Sequence, residues 1–180
     1  MNDEIKIVIG SWDSYNACNE RALGSKWLTL SDYDDWEEIE KELKKEGFIL
    51  NGIDEELFIQ DIEGINADNN WDYENPKNLF KILTESEVLI DSYKYETMQA
   101  YLEIYTFDDW KNLVNKYGSS WDSDISLYKN MDWYDLGYEL LHDCYEIPEY
   151  LESYIDYKKF GEELSYDGYA EYSDGIIAVR

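Results

Sequence analysis

The sequence predicts an α+β fold, and three observations lead to that class. Isoleucines alternate with other residues over positions 5–9, which is the two-residue period of a β-strand. Farther along the chain, apolar residues recur every three or four positions after residues that can cap a helix. Two short segments, 168–172 and 176–179, flank Asp174-Gly175 and predict a β-hairpin. A chain of 180 residues has room for one ordinary domain or for two to three small ones.

Residues 1–64 predict an N-terminal α+β domain with a small antiparallel sheet. The first strand is the isoleucine segment, and positions 26–30 and 57–62 predict two more. Between these strands, Ser31 is expected to cap a helix that Gly47 terminates. The apolar face of this helix would carry Trp36, Ile39 and Leu43.

Residues 65–105 predict a small helical middle domain. Asn and Asp are frequent over 66–75, which indicates a linker or a long loop. Asn75-Pro76 is typical of an N-cap followed by proline in the first helical turn. The apolar residues that follow predict two or three short helices and no strand; they lie at 79–83, 88–90 and 98–104.

Residues 106–180 predict a C-terminal α+β domain. A helix is expected over 107–117 after a threonine cap, and the strongest helical pattern of the chain ends at Ile147-Pro148. Shorter helices are expected around 151–154 and over 156–164, before the hairpin. The apolar face of the strongest helix follows helical spacing: Trp133, Leu136, Gly137, Leu140, Leu141 and Cys144.

The composition combines a large negative charge with enough apolar surface to fold. The formal net charge is −27, yet 44% of the residues are hydrophobic and 17% are aromatic. Affinity for phosphates comes from Lys and Arg clusters, so this charge argues against direct binding to nucleic acid. A basic protein surface is the expected partner, because complementary fields accelerate association.

Eight carboxylates form what we call the C-terminal carboxylate ridge. Each lies three or four residues from the next, and no Lys or Arg occurs among them. On a helix they would share one side, where like charges repel by roughly 0.2–0.5 kcal/mol per pair. Their spacing would be about 5 Å, against ~3.4 Å between phosphates on one DNA strand. The members are Asp132, Asp135, Glu139, Asp143, Glu146, Glu149, Glu152 and Asp156.

A shorter row, the N-terminal carboxylate ridge, has strict four-residue spacing but contains lysines. Lys41 and Lys45 dilute its charge, so a solvated helix face is the preferred interpretation for this ridge alone. For the lysine-free C-terminal carboxylate ridge, partner binding is preferred. Both ridges are retained as candidate partner-binding sites. The N-terminal members are Asp34, Glu38, Glu42 and Glu46.

Other kinds of site are weakly supported, and no catalytic, cofactor or metal site is predicted. Four residues from Asp122 to Asn130 have the offsets of a calcium loop, but Leu127 and Trp133 occupy the glycine and closing glutamate positions. With 42 acidic residues, some pair would always suit glycoside hydrolysis. The single histidine, His142, is interpreted as a solvated helix residue. No phosphate loop, HExxH or nucleophile-elbow motif occurs.

The two cysteines are interpreted as small buried apolar residues with free thiols. Cys18 and Cys144 are far apart in sequence, and the chain has no signal-like N-terminus or apolar run of membrane-spanning length. A cytoplasmic location is therefore expected.

Several segments resemble the ArdA-type antirestriction proteins. The resemblance is strongest in Asp135-Leu-Gly-Tyr-Glu-Leu-Leu and in the segment 147–164, and it extends to 5–15, 27–30 and 54–64. Family members often have Gly-Arg-Asp-Leu where this sequence has Gly-Glu-Glu-Leu at 161–164, which makes the region more acidic. The middle module matches only loosely.

The resemblance implies an elongated homodimer with three small domains per chain that mimics B-form DNA. Such proteins occupy the DNA-binding groove of type I restriction-modification enzymes and protect a mobile element that enters a bacterial cell. The expected mechanism is competitive binding without chemistry. Two alternatives stay open at this point: an acidic adaptor or chaperone for another basic protein, and a hydrolase that uses two carboxylates.

Overall fold

The computed structural model describes residues 4–49, 56–66 and 75–180 and confirms the α+β class. Near the N-terminus, three antiparallel strands form a sheet in the order β2-β1-β3. The central strand buries Ile7 and Ile9 completely, as the two-residue period predicts. The strands are β1 (Lys6–Ser11), β2 (Leu28–Thr29) and β3 (Leu57–Glu63).

Two helices accompany this sheet: α1 (Trp12–Asn16) and α2 (Trp36–Lys45). The predicted apolar face of α2 is buried, but the predicted N-cap at Ser31 is wrong. The residues before α2 form a 3₁₀ turn, Leu30–Asp32, and the Asp35 side chain caps α2 by accepting a hydrogen bond from the Glu38 N–H at 3.0 Å. Sequence spacing located the face but not the start of the helix.

Three helices follow, as predicted for the middle of the chain and for residues 107–117. Asn75 caps the first of them, and its side chain accepts from the N–H groups of Lys77 and Asn78. Thr106 caps the third in a capping box with Asp109. Hydrogen bonds from Thr106 lower the pKa of the Asp109 carboxyl. The helices are α3 (Pro76–Glu85), α4 (Ser92–Ile104) and α5 (Phe107–Tyr117).

The C-terminal sheet has the order β4-β6-β5 and is antiparallel throughout. The predicted hairpin is confirmed as β5 (Tyr169–Tyr172) and β6 (Gly175–Val179). The sequence interpretation missed β4 (Ile125–Lys129), which lies where the calcium-loop spacing was considered. It pairs along its whole length with β6, which lies about fifty residues away in sequence.

Three helices lie between β4 and β5: α6 (Trp133–Cys144), α7 (Glu149–Glu152) and α8 (Tyr157–Glu163). Helices α6 and α8 cross with their backbones in contact, because each has a glycine at the crossing. A Cβ atom at Gly137 would overlap the carbonyl oxygen of Tyr157, and one at Gly161 would overlap that of Trp133. The crossing therefore requires both glycines.

Apolar packing is continuous from the N-terminal sheet through α2 to α5 and reaches Ile177 of β6. A second, smaller cluster under α6 joins Leu136 to Tyr169, Ile176 and Ala178. No helix among the described residues is long and apolar enough to cross a membrane. Most of the predicted loop at 66–75 lies outside the described residues, and the division into three domains stays a prediction.

The prediction that both cysteines are buried is wrong. Cys18 and Cys144 are free and exposed. Cys144 belongs to the predicted apolar face of α6, but it is the last residue of the helix, where that face no longer has a partner to pack against.

Candidate acidic protein-binding surface

The C-terminal carboxylate ridge begins at the N-terminus of α6, where its first two members cap the helix. The Asp132 side chain accepts hydrogen bonds from the N–H groups of Tyr134 and Asp135, at 2.8 and 2.9 Å. The Asp135 side chain accepts one in return from the Asp132 N–H, at 3.4 Å. Both carboxylates are exposed, and the positive end of the helix dipole stabilises their charge.

Glu139 and Asp143 continue the ridge along α6. They follow Asp135 at four-residue intervals, so the three carboxylates lie on one side of the helix, about 6 Å apart along its axis. Asp135 and Asp143 are exposed, and Glu139 is half-buried. The structure therefore brings these three members of the ridge together as predicted for a helix.

An aromatic strip runs beside these carboxylates on α6. The Tyr134 and Tyr138 side chains are 48% and 44% exposed. The His142 ring stacks on Tyr138 with 4.0 Å between centroids, and its Nδ1 donates to the Tyr138 carbonyl oxygen at 2.8 Å. Lys129 and Met131 close the other side of a groove of about 710 Å³ along this strip. Carboxylates and aromatic faces together can accept a cationic side chain.

Beyond α6 the ridge leaves the helix, which corrects the prediction of one helical row as far as Glu146. Helix α6 ends at Cys144, and Tyr145 is extended. Glu146 therefore lies in the connecting segment, while Glu149 and Glu152 belong to α7. The helix ends earlier than the Ile147-Pro148 pair suggested.

The last member of the ridge, Asp156, caps α8, and its side chain accepts from the Lys159 N–H at 3.0 Å. The eight carboxylates thus divide among three helices and the segment that joins α6 to α7. The crossing of α6 and α8, rather than a single helical row, determines how the two ends of the ridge lie relative to each other.

Tyr157 anchors α8 beneath the aromatic strip of α6. Its side chain is buried, and its ring centroid lies 5.1 Å from that of Tyr138 and 5.8 Å from that of Tyr134. Burial raises the pKa of the Tyr157 phenol, and the neighbouring Glu152 carboxylate adds to the effect. Glu152 Oε1 also lies 3.6 Å from His142 Nε2. These contacts hold α7 and α8 against α6.

Basic residues do not neutralise the C-terminal carboxylate ridge. Within the described part of the chain, no Lys or Arg side chain lies within 4.0 Å of any of its eight carboxylates. The nearest lysine in sequence, Lys158, pairs instead with Glu162 at 3.7 Å. The same residues contain no group of three or more His, Cys, Asp or Glu side chains that could hold a metal ion.

The N-terminal carboxylate ridge lies on and around α2, and cations neutralise half of it. Glu42 pairs with Lys45 at 3.0 Å, and Glu46 pairs with Lys26 at 2.8 Å. The bond to Glu46 raises the pKa of the Lys26 ammonium. The other two members, Asp34 and Glu38, are linked by a hydrogen bond: the Glu38 side chain accepts from the Asp34 backbone N–H at 2.9 Å.

Exposed tyrosines around α7 are surface features that the sequence interpretation missed. Tyr145, Tyr150 and Tyr154 are 66%, 73% and 84% exposed. One feature of the sequence indicates their exposure: these tyrosines do not continue the apolar spacing of α6, and they lie among acidic residues. Large exposed aromatic side chains so close together are typical of protein interfaces.

A comparison with protein families decides what kind of protein carries this surface. The model of the family described as antirestriction protein (ArdA) matches residues 7–178. The chain belongs to the ArdA antirestriction family. The resemblance found in the sequence is thereby confirmed, and an antirestriction function follows from membership. The match to the ArdA family extends from β1 to β6 and includes both carboxylate ridges. A search of curated proteins found no match to the chain.

Proposed function

We propose that this member of the ArdA family is a non-enzymatic DNA mimic. It binds in the DNA-binding groove of a type I restriction-modification enzyme, competes with DNA there, and so protects mobile DNA that enters a bacterial cell. The observation that supports this proposal best is the C-terminal carboxylate ridge, which is mostly exposed and has no Lys or Arg partner among the described residues.

The physical basis of the competition is charge. Carboxylates about 6 Å apart on α6 approach the ~3.4 Å spacing of phosphates on one DNA strand within a factor of two. Lys and Arg side chains that normally bind phosphates would bind these carboxylates instead, each contact contributing little alone. Attraction between opposite charges also accelerates association, which favours the inhibitor over DNA that arrives later. No bond is made or broken in this mechanism.

The proposal includes a homodimer, for which the exposed aromatic residues around α7 are the candidate contact. A stable dimer needs an apolar interface centre, and Tyr145, Tyr150, Leu151 and Tyr154 are all at least 41% exposed in the single chain. Light scattering after size exclusion would measure the mass. We expect a dimer for the wild-type chain and a monomer for the variant Tyr150→Asp/Tyr154→Asp; a monomeric wild-type chain would contradict this part of the proposal.

A restriction assay in living cells tests the function directly. Cells with a type I restriction system are challenged with unmodified phage or plasmid DNA, with and without expression of this chain. We expect restriction to be relieved, and we expect no relief against an unrelated restriction enzyme that lacks a long DNA-binding groove. A purified type I enzyme should be recovered with the chain, and excess DNA should displace it. If the chain captured other basic proteins but no restriction-modification subunit, the adaptor alternative would replace this proposal.

A further inference from the structure

One face of α4 forms hydrogen bonds with the end of the N-terminal sheet. The carbonyl oxygen of Gly64, just after β3, accepts from Tyr95 Oη at 3.0 Å and from Gln99 Nε2 at 2.5 Å. The next polar residue, Asn66, donates its backbone N–H to Gln99 Oε1 at 2.7 Å. The Gln99 side-chain amide therefore forms hydrogen bonds through both its nitrogen and its oxygen with the segment that follows β3.

The same face of α4 also binds the C-terminal sheet. The Glu103 carboxylate accepts from Ser173 N and Ser173 Oγ in the β5–β6 turn, at 2.7 and 2.8 Å. Its Oε1 also accepts from Asn66 Nδ2 at 3.3 Å. Glu96, about two helical turns before it, pairs with Lys129 at the end of β4. Glu103 thus contacts the β5–β6 turn and the segment that follows β3 through one side chain.

These four side chains, Tyr95, Glu96, Gln99 and Glu103, we call the α4 bracket. They line a cleft of about 530 Å³ that is bounded by Gly64 and Asn66 on one side and by Lys129, Tyr172 and Ser173 on the other. Apolar packing elsewhere holds the two sheets to α4, but apolar contact has no direction. Hydrogen bonds do have direction, so those that line the cleft are suited to constrain the angle between the sheets.

We propose that Gln99 and Glu103 are positioning residues that set the angle between the N-terminal and C-terminal sheets. This inference rests on the proposed function: an inhibitor that imitates the shape of DNA must hold its anionic surfaces at a fixed curvature. Glu103 then contributes to inhibition through the angle between the sheets, without contact between its carboxylate and the enzyme. Truncation of its side chain should weaken binding more than truncation of a carboxylate on the candidate surface.

The two native cysteines allow the angle to be measured without an added residue. Cys18 lies just after α1, Cys144 is the last residue of α6, and both are free and exposed. Nitroxide labels on this pair, with labelled chain diluted into unlabelled chain, would report the distance within one chain by pulsed electron resonance. We expect a single narrow distribution for the wild-type protein.

The variants Glu103→Ala and Gln99→Ala should broaden or shift that distribution. The matched control is Glu139→Ala, which removes the same side chain from α6 and should leave the distribution narrow. Glu103→Gln removes the charge but keeps an acceptor for the Ser173 N–H, so it should stay close to wild type. If Glu103→Ala and Gln99→Ala both gave the wild-type distribution, the positioning role would be refuted. Thermal unfolding verifies that each variant is folded.

Inhibition of a type I enzyme is the second measurement. We expect Glu103→Ala to weaken inhibition by about tenfold and Glu139→Ala by less than about threefold, since each surface contact contributes little. Equal losses for the two variants would refute the link between the bracket and binding. If the wild-type chain did not inhibit at all, the proposed function would fail, while the distances would still decide whether the bracket sets the angle.

Discussion

The two carboxylate ridges have similar spacing in the sequence and different surroundings in the structure. In the N-terminal carboxylate ridge, Glu42 and Glu46 are each paired with a lysine. In the C-terminal carboxylate ridge, no described Lys or Arg approaches within 4.0 Å, and the nearest ring nitrogen of His142 is 3.6 Å from Glu152. Spacing along the chain therefore does not determine how much charge a surface presents.

The difference arises partly from residues that are distant in sequence. Lys45 is a helical neighbour of Glu42, and the sequence shows it, but Lys26 reaches Glu46 from the segment before β2. No distant lysine of the described residues pairs with the C-terminal carboxylate ridge: Lys129 pairs with Glu96, and Lys158 pairs with Glu162. The C-terminal carboxylate ridge, whose charge no lysine partner balances, is the better candidate for binding a basic groove.

Charge reversal is expected to have the largest effect. The variant Asp135→Lys/Glu139→Lys/Asp143→Lys should weaken inhibition of a type I enzyme by about a hundredfold, because three attractive contacts become repulsive. The matched reversal Asp34→Lys/Glu38→Lys/Glu42→Lys should cost about tenfold or less. Dissociation constants of the two purified variants would measure the contrast. Equal losses would mean that net charge alone matters, and the distinction between the ridges would be lost.

Disruption of the α6–α8 crossing should come next. In Gly137→Ala the new methyl group would overlap the Tyr157 carbonyl, so the helices must separate, at a cost of about 2 kcal/mol in the free energy of unfolding. Urea denaturation would measure this cost. Asn112→Ala, at an exposed position of α5, is the control and should change stability by less than about 0.5 kcal/mol. A stable Gly137→Ala variant with normal inhibition would show that the ridge does not need the crossing.

Salt should have the smallest effect and should distinguish the ridges. Raising sodium chloride from about 20 mM to about 200 mM should increase the melting temperature of the wild-type chain by a few degrees, because salt screens self-repulsion. Asp135→Asn/Glu139→Gln/Asp143→Asn should reduce this increase. Glu42→Gln/Glu46→Gln should not, because those carboxylates already have lysine partners. Calorimetry would measure each melting temperature, and a wild-type value independent of salt would contradict uncompensated charge.

Most elements whose signals are local were predicted well, although the N-cap of α2 is Asp35 and not Ser31 as predicted. The N-caps Asn75 and Thr106, the apolar face of α2 and the hairpin turn at Asp174-Gly175 all depend on residues within a few positions of one another. Strand β4 was missed; it pairs with β6, about fifty residues away, and the sequence interpretation considered only calcium-loop spacing there.

The candidate surface was predicted in part for the same reason. Helical spacing placed Asp135, Glu139 and Asp143 together, and α6 confirms that arrangement. Nothing in the local sequence showed that α6 ends at Cys144 or that α8 returns beneath it. Tyr150 and Tyr154 are exposed because few other parts of the chain pack against α7, and the local sequence does not show this either.

The sequence by itself determined the fold class, most helix positions, the family and the excess of negative charge, because these follow from short-range periodicity, capping and composition. Only the tertiary structure decided that Lys26 pairs with Glu46, where the C-terminal carboxylate ridge bends, and how α4 joins the two sheets. The physical reason is that ion pairs, close helix crossings and strand pairing form between residues far apart in the chain, and their partners are known only after the chain has folded.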